Sequence, residues 1–362
     1  MNTTAHSTAM AWTDADARAW PRQETSASVL LVGKTPSLLW QGLRTLNAAG
    51  IRPYVLSPSR LRLPAALGLV RASHAWDPRR VKSSPDDDLS AYGEGFARQV
   101  AELTRLYGIE VVIPVDMPTS LGLAEHVNVL MGSGARLFPT MGTRALRALH
   151  DKWRFAQMCG KLSLPHAKTA LIRRVDDVDQ LKLSYPLVVK PLNRANGAGV
   201  MQFADSVELK RYLAGDHPFN ALPLIAQEFV PGREIGVSVM AEHGVVKAWT
   251  MGYARRGRRR FTRDRAVEAI VERFVQETGF HGIGHFDMIE EDETGYLHFI
   301  EFNPRVWGSM LYSTRVGVNF LELGLRMGQR ERRLPIVREQ RRGWVGLPLA
   351  ERLFGWLNAR MS

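Results

Sequence analysis

The 362-residue chain predicts an α/β unit followed by an α+β region. Two observations carry this. Between residues 29 and 115, buried-looking apolar runs alternate with amphipathic helical patterns, the mark of a parallel sheet covered by helices. From Asp151 onward, short strand patterns follow one another at hairpin spacing, with helices mixed among them. A hydrophobic content of 45% and this length suit two or three packed units.

Residues 1–26 read as a flexible tail. SVLLVGKTPSLLWQGLRTLNAAGIRPYVLS, 28–57, then gives strand, turn, amphipathic helix, Gly50 and a second strand. FARQVAELTRLYGIEVVIPV, 96–115, repeats helix and buried strand, so residues 27–140 are expected to form an N-terminal Rossmann-like α/β domain. Gly33, Lys34 and Thr35 imitate a phosphate loop, but that motif needs a glycine five residues before Gly33, where Ser28 stands. A structural role or a substrate contact is left for this loop.

Residues 141–328 form the expected second domain, with strands at 186–190, 199–204, 223–230, 234–240 and 245–253 before a final hairpin. Residues 329–362 are a basic C-terminal extension ending in an amphipathic helix, 348–361. Leu349, Leu353, Phe354, Trp356 and Leu357 share one broad face of that helix, which either packs on the domain or lies on an anionic membrane surface.

The hairpin holds the most informative stretch, YLHFIEFNPRVWGSM, 296–310. Strand alternation sends Glu301, Asn303 and Arg305 to one side and Ile300 and Phe302 to the other. The preceding strand, 284–290, is joined through a turn centred near Thr294, a register that sets Asp287 opposite Glu301. Like charges directly opposed on a sheet are destabilising unless a cation lies between them, and hard divalent cations take carboxylate oxygens. Asn303 is expected to add a neutral oxygen. The same pattern also describes a solvent-exposed polar face on an edge hairpin.

Two further stretches precede it. YPLVVKPLNRANGAGV, 185–200, is a strand ending in Lys190, a loop with Gly197 and Gly199, and another strand, which would make a flap whose amides fold over phosphates. LIAQEFVPGREIGVSV, 224–239, places Gln227, Glu228, Phe229 and Val230 before a Pro231-Gly232 turn and Glu234, as a hinge between two sheets would. Each stretch alone could be an ordinary hairpin or turn.

The net charge of +12 is compatible with nucleic acid, an anionic surface or small acidic substrates. RRGRRRFTRDR, 255–265, carries seven arginines and one aspartate, and a second basic cluster spans 330–342. Anionic-substrate recognition, a solvated loop and nucleic-acid contact all fit the first run, although only Phe261 could stack on a base. The lone Cys159 reads as a buried small residue. There is no apolar run long enough for a membrane span and no secretory pattern, so a cytoplasmic location is expected.

Taken in order, Asp151-Lys152, the V-V-K-P strand with its glycine loop, the Q-E-F-V-P-G-R-E hinge and the Asp287 with E-F-N-P-R pair resemble the ATP-grasp superfamily, of the carboxylate-amine ligase and carbamoyl-phosphate-synthase-like type, over about residues 29–325. The resemblance implies a pre-ATP-grasp N-terminal domain and a two-subdomain ATP-grasp fold with a lid at about 165–228. It implies that Lys152 and Lys190 contact phosphates, with Gly197 and Gly199 in the covering loop. Gln227, Glu228, Phe229 and Val230 would then hold the adenine and Glu234 the ribose. Asp287, Glu301 and Asn303 would hold magnesium, with manganese as a substitute, and Arg305 would stabilise the transferring phosphoryl group, with Lys190 beside it in catalysis. NRANGAG is poorer in glycine than the usual loop, and Arg194 is placed to compensate.

The implied activity is an ADP-forming ligase that activates a carboxylate as an acyl-phosphate and joins it to an amine. Its partners would be a small anionic carboxylate substrate and an amine acceptor, without specific nucleic acid; a homodimer and weak peripheral membrane contact are compatible with it. A non-catalytic ATP-binding sensor or scaffold, and a nucleic-acid-binding protein, are the alternatives.

Overall fold

The computed structural model describes residues 27–77, 79, 92–194, 197–255, 257–327, 337–338 and 343–347. The N-terminal tail and the amphipathic helix expected over 348–361 lie outside the described residues, as does most of the basic stretch 330–342.

The first sheet joins β1 (Val29–Val32), β2 (Tyr54–Ser57), β3 (Ala72–Ala75), β4 (Val111–Pro114) and β5 (Arg136–Leu137) in the order β3-β2-β1-β4-β5, all parallel. β1 and β4 are buried along their whole length, which is why they read as unbroken apolar runs. Val29 and Leu31 pack under the helix Pro36–Ala48, while Leu30 and Val32 pack against Phe96, Ala97 and Val100 of the helix Glu94–Tyr107. That second helix ends at Gly108, whose φ of +60° is the left-handed conformation glycine adopts without steric cost.

The GKT loop closes on Asp116: the amides of Lys34 and Thr35 donate to its Oδ2 at 2.6 and 3.0 Å, and Gly33 lies so close to Val115 that a Cβ would stand 2.2 Å from Cγ2. These loop amides are spent inside the domain, which favours the structural role for the loop.

The second sheet is antiparallel, β6 (Thr169–Ile172), β7 (Leu187–Pro191), β8 (Met201–Phe203) and β9 (Leu224–Glu228), ordered β6-β9-β7-β8. It has its own small core around Leu187, Val189, Leu209 and Ala226. From Glu228 the chain passes through Phe229, Val230 and Pro231 directly into the third sheet, so this short link is the junction of two sheets.

That third sheet comprises β10 (Gly232–Glu242), β11 (Val245–Arg255), β12 (Arg258–Thr262), β13 (Gly282–Glu291), β14 (Leu297–Asn303), β15 (Val337–Arg338) and β16 (Gly343–Gly346). The order is β14-β13-β10-β11-β12-β16, with β15 paired to β11. Two strands within the stretch read as a separate basic extension therefore belong to this sheet. The arginine run, read as a loop between strands, is instead a hairpin turn and a strand: β12 pairs with both β11 and β16, and Phe261, 2% exposed, anchors it to the interior.

One face of the sheet is apolar. Phe274 of the helix Arg265–Thr278 and Phe155 of the helix Lys152–Lys161 meet Phe286, Phe299 and Phe302 there, with Phe286 and Phe302 stacked at 4.2 Å between ring centroids. The sequence assigns Ile300 to that side. An irregularity between Asp287 and Met288 pairs Asp287 with Glu301 but Met288 with Phe299, so Phe299 enters the core and Ile300 is the extra residue. Cys159 is fully buried, and burial pushes its thiol up to about 12. Among the described residues, no helix is long and apolar enough to cross a membrane.

Candidate functional site

The other face of the third sheet carries charge. Asp287 stands opposite Glu301 and His285 opposite Asn303, so two rungs of the β13–β14 ladder present four polar side chains together. The helix Lys152–Lys161 begins at Asp151, whose carboxylate caps it by accepting from the Arg154 amide, and this cap fixes Lys152 at the edge of the cluster. Lys152 Nζ lies 3.3 Å from Glu301 Oε2 and donates to the Arg194 carbonyl at 2.5 Å. Lys190, on β7, is 5% exposed. Burial opposes the charged form of Glu301, but Lys152, Lys190 and the Asn303 amide outweigh it and hold the carboxyl far below the usual range. Lys190 responds in the opposite sense: burial brings its ammonium down to about 8, although Glu301 and Asp287 favour its charge.

Asn303 requires a correction. Its Nδ2 donates to Asp287 Oδ2 at 3.0 Å and to Glu301 Oε1 at 3.1 Å, while Oδ1 accepts from Arg305 Nη2 at 2.9 Å. The amide nitrogen, rather than the expected oxygen, faces the carboxylates, because two opposed carboxylates are relieved by a donor between them. The donor chemistry nevertheless fits a hard divalent cation: two carboxylates share one rung, and rotation of the Asn303 amide would add a neutral oxygen. Arg305 follows the end of β14 and is fixed by Asn303 and by its donation to the Val306 carbonyl at 2.8 Å.

The hinge and the glycine loop lie on other elements. Gln227 is buried and donates to Thr169 Oγ1, and Glu228 accepts from the Ser184 amide at 2.8 Å, so both side chains are already engaged. The amides of Glu228 and Phe229 donate to the carbonyls of Lys168 and Pro186, leaving the Val230 amide as the hinge N–H without a bond among the described residues. Phe229 is 42% exposed. Glu234 is exposed near the start of β10. Gly197 and Gly199 hold φ values of +72° and +75° between β7 and β8. Lys152, Lys190, Asp287, Glu301, Asn303 and Arg305 are thus brought together. Among the described residues, no hydrogen bond ties Gly197, Gly199, Glu234 or the hinge to them.

Two further residues, His285 and His150, are not singled out by the sequence, and Arg259 is read there only together with the rest of the arginine run. His285 lies fully buried beneath Asp287, its Nε2 3.4 Å from Oδ1 and its Nδ1 2.9 Å from Ser238 Oγ, with the ring stacked on Trp307. The alternation His285-Phe286-Asp287 was a legible signal for it. His150, 3% exposed, sits beside Arg305 and Lys152, and burial first, then those two charges, brings its imidazole down to about 3. Arg259 turns out of the arginine run toward Asp287, where burial lowers its guanidinium and Asp287 partly restores it.

Comparison with known proteins gives matches to part of the chain and to its fold. Residues 220–343 match the family described as "ATP-grasp in the biosynthetic pathway with Ter operon". A D-alanine–D-alanine ligase of Paramagnetospirillum magneticum is 31% identical over 104 residues, which is 29% of this chain and 33% of that protein. One from Dinoroseobacter shibae is 30% identical over the same share of each chain. The match thus spans about a third of the length of these curated relatives. An L-amino acid ligase from Bacillus licheniformis superposes with a TM-score of 0.62 at 18% identity, covering 84% of this chain and 74% of that one. The biotin carboxylase domain of the Hydrogenobacter thermophilus 2-oxoglutarate carboxylase, solved with MgADP and bicarbonate, gives 0.65 at 17% identity, covering 88% and 73%. Residues 220–343 thus match an ATP-grasp family, and the chain has the fold of the ATP-grasp enzymes it superposes on.

Proposed function

We propose that this protein is an ATP- and magnesium-dependent ligase of the cytoplasm that activates a small carboxylic acid as an acyl-phosphate and joins it to an amine, releasing ADP and phosphate. The observation that carries this reading is the convergence of two lysines and Arg305 on an opposed carboxylate pair. Similarity to D-alanine–D-alanine ligases and to an L-amino acid ligase supports it.

In this reading Lys152 and Lys190 bind the triphosphate as ammonium groups, with Lys152 held in place by Glu301 and the Arg194 carbonyl. Gly197 and Gly199 let the intervening loop fold over the phosphates, and the hinge grips the adenine through the Val230 amide and flanking backbone while Glu234 takes the ribose. Asp287, Glu301 and a rotated Asn303 would hold magnesium or manganese, which would supply positive charge to offset the charge developing on the transferring phosphoryl group. A carboxylate oxygen of the acid attacks the γ-phosphorus, the bond to the β-phosphate oxygen breaks, and Arg305 stabilises the charge in transit. The amine then attacks the acyl carbon and phosphate leaves. Enclosure by the second sheet keeps water from the acyl-phosphate.

A screen for ADP release with purified protein, ATP, magnesium and a panel of amino acids and uronic acids tests the proposal. Magnesium-dependent release that requires an acid supports it. Nucleotide binding with no acid-dependent release points to a sensor instead.

A further inference from the structure

The β11–β12 hairpin carries Arg258, Arg259 and Arg260 in succession, and its register separates them. Arg258 and Arg260 are exposed. Arg259 turns with the buried Phe261 to the face that holds Asp287 and Glu301.

A path for its side chain is cut across two strands. Gly236 of β10 stands opposite both Gly252 of β11 and Asp287 of β13. A Cβ at Gly236 would lie 2.2 Å from Arg259 Nη1 and 2.7 Å from His285 Cε1, and one at Gly252 would lie 3.2 Å from Arg259 Cγ. Any larger residue at Gly236 would collide with the guanidinium. The paired glycines therefore form a groove along which Arg259 crosses the sheet to the charged cluster.

The groups whose charges act on Arg259 are Asp287, Tyr312 and Glu234, yet among the described residues its side chain makes no hydrogen bond or ion pair. Asp287 is instead partnered by His285 and Asn303. A counter-ion for Asp287 would be drawn into contact with it. Arg259 is held short of that contact, with a fork of donors matched to the two oxygens of a carboxylate.

We propose that Arg259 is the anchor for the reacting carboxylate of the acid substrate, holding it over Gly236 beside the Asp287–Glu301 pair. The substrate class is then a small acid recognised through its own carboxylate, and the rest of the arginine run is not needed. This inference rests on the ligase reading above.

Trifluoroacetate serves as a probe carboxylate, its fluorine NMR linewidth titrated against the full-length protein with magnesium and ADP. Wild type broadens the signal saturably. Arg259→Gln weakens binding at least about tenfold, as loss of a charge-assisted pair should. Gly236→Ala, which displaces the guanidinium but keeps its charge, weakens it in the same direction, and Arg259→Lys retains part of it. Arg258→Ala with Arg260→Ala leaves it unchanged. Melting temperature and affinity for a fluorescent ADP analogue show that the variants are folded with an intact nucleotide site. Equal binding to wild type and Arg259→Gln, an equal loss in the Arg258 and Arg260 variant, or no binding to wild type overturns the proposal. Failure of wild type to bind the ADP analogue would overturn the ligase reading itself.

Discussion

Lys152 and Glu301 face one another across the junction of a helix start and a strand, Nζ 3.3 Å from Oε2, with side chains 5% and 22% exposed. Their pairing keeps a carboxylate ionised in a place where burial alone would favour its protonation. It also fixes in position the ammonium of Lys152, which the proposed function assigns to a phosphate.

Replacing Glu301 with glutamine keeps the shape and removes the charge. Turnover is expected to fall at least about a hundredfold, the scale of losing one strong electrostatic stabiliser. Steady-state ADP release at saturating ATP and magnesium measures it, and near-normal turnover would reject the assignment of Glu301 to the metal.

Lys190 should make nucleotide binding sensitive to alkaline pH. Its ammonium titrates at about 8, below the ordinary 10.5, because of burial. Binding to phosphate needs the charged form, so affinity for ATP should fall as pH rises above about 8, and Lys190→Arg, which stays charged, should lose that dependence. Lys190→Ala should weaken binding at every pH without unfolding the protein. Fluorescent-nucleotide titrations from pH 6.5 to 9.5 decide the matter, a flat wild-type profile being the adverse result.

His150 makes a separate prediction about acid stability. Its folded value of about 3 lies below the ordinary 6.5, so the unfolded chain binds the extra proton between those values and stability falls as pH drops below about 6.5. This one group should cost about 2 kcal/mol between pH 7 and pH 5. Urea unfolding of wild type and His150→Leu at both pH values tests this. The wild type should lose more stability than the variant, and parallel losses would contradict it.

Cys159 should be inert in the native state. It is fully buried and its thiol is pushed up to about 12, so almost no thiolate exists at neutral pH. Labelling with iodoacetamide, read by mass spectrometry, should proceed only in denaturant. Rapid native labelling would show that the helix Lys152–Lys161 opens.

The polar half of the β13–β14 hairpin was legible because alternation and turn position are local properties. They placed Asp287 opposite Glu301 before any tertiary contact was considered. The bulge that excludes Ile300 from the core was not legible, since it depends on how Phe299 and Phe302 fill the space beside Phe155 and Phe274. The orientation of Asn303 depends on Arg305, which arrives from beyond the strand end. Arg259 was hidden among seven arginines because its distinction comes from Gly236 and Gly252, which meet only when β10 and β11 pair. His150 adjoins Asp151 and Lys152 in sequence, yet its imidazole is lowered by burial in the folded chain and by the charge of Arg305, far along the chain.

Transfer of oxygen from the acid to phosphate tests acyl-phosphate formation most directly. Acids labelled with ¹⁸O in the carboxylate are incubated with the protein, ATP, magnesium and an amine acceptor, and the released phosphate is analysed by mass spectrometry. The account predicts that each phosphate formed in ligation carries one labelled oxygen from the carboxylate. Phosphate holding only unlabelled oxygen, or an enzyme that binds MgATP but forms no phosphate with any acid, would contradict it.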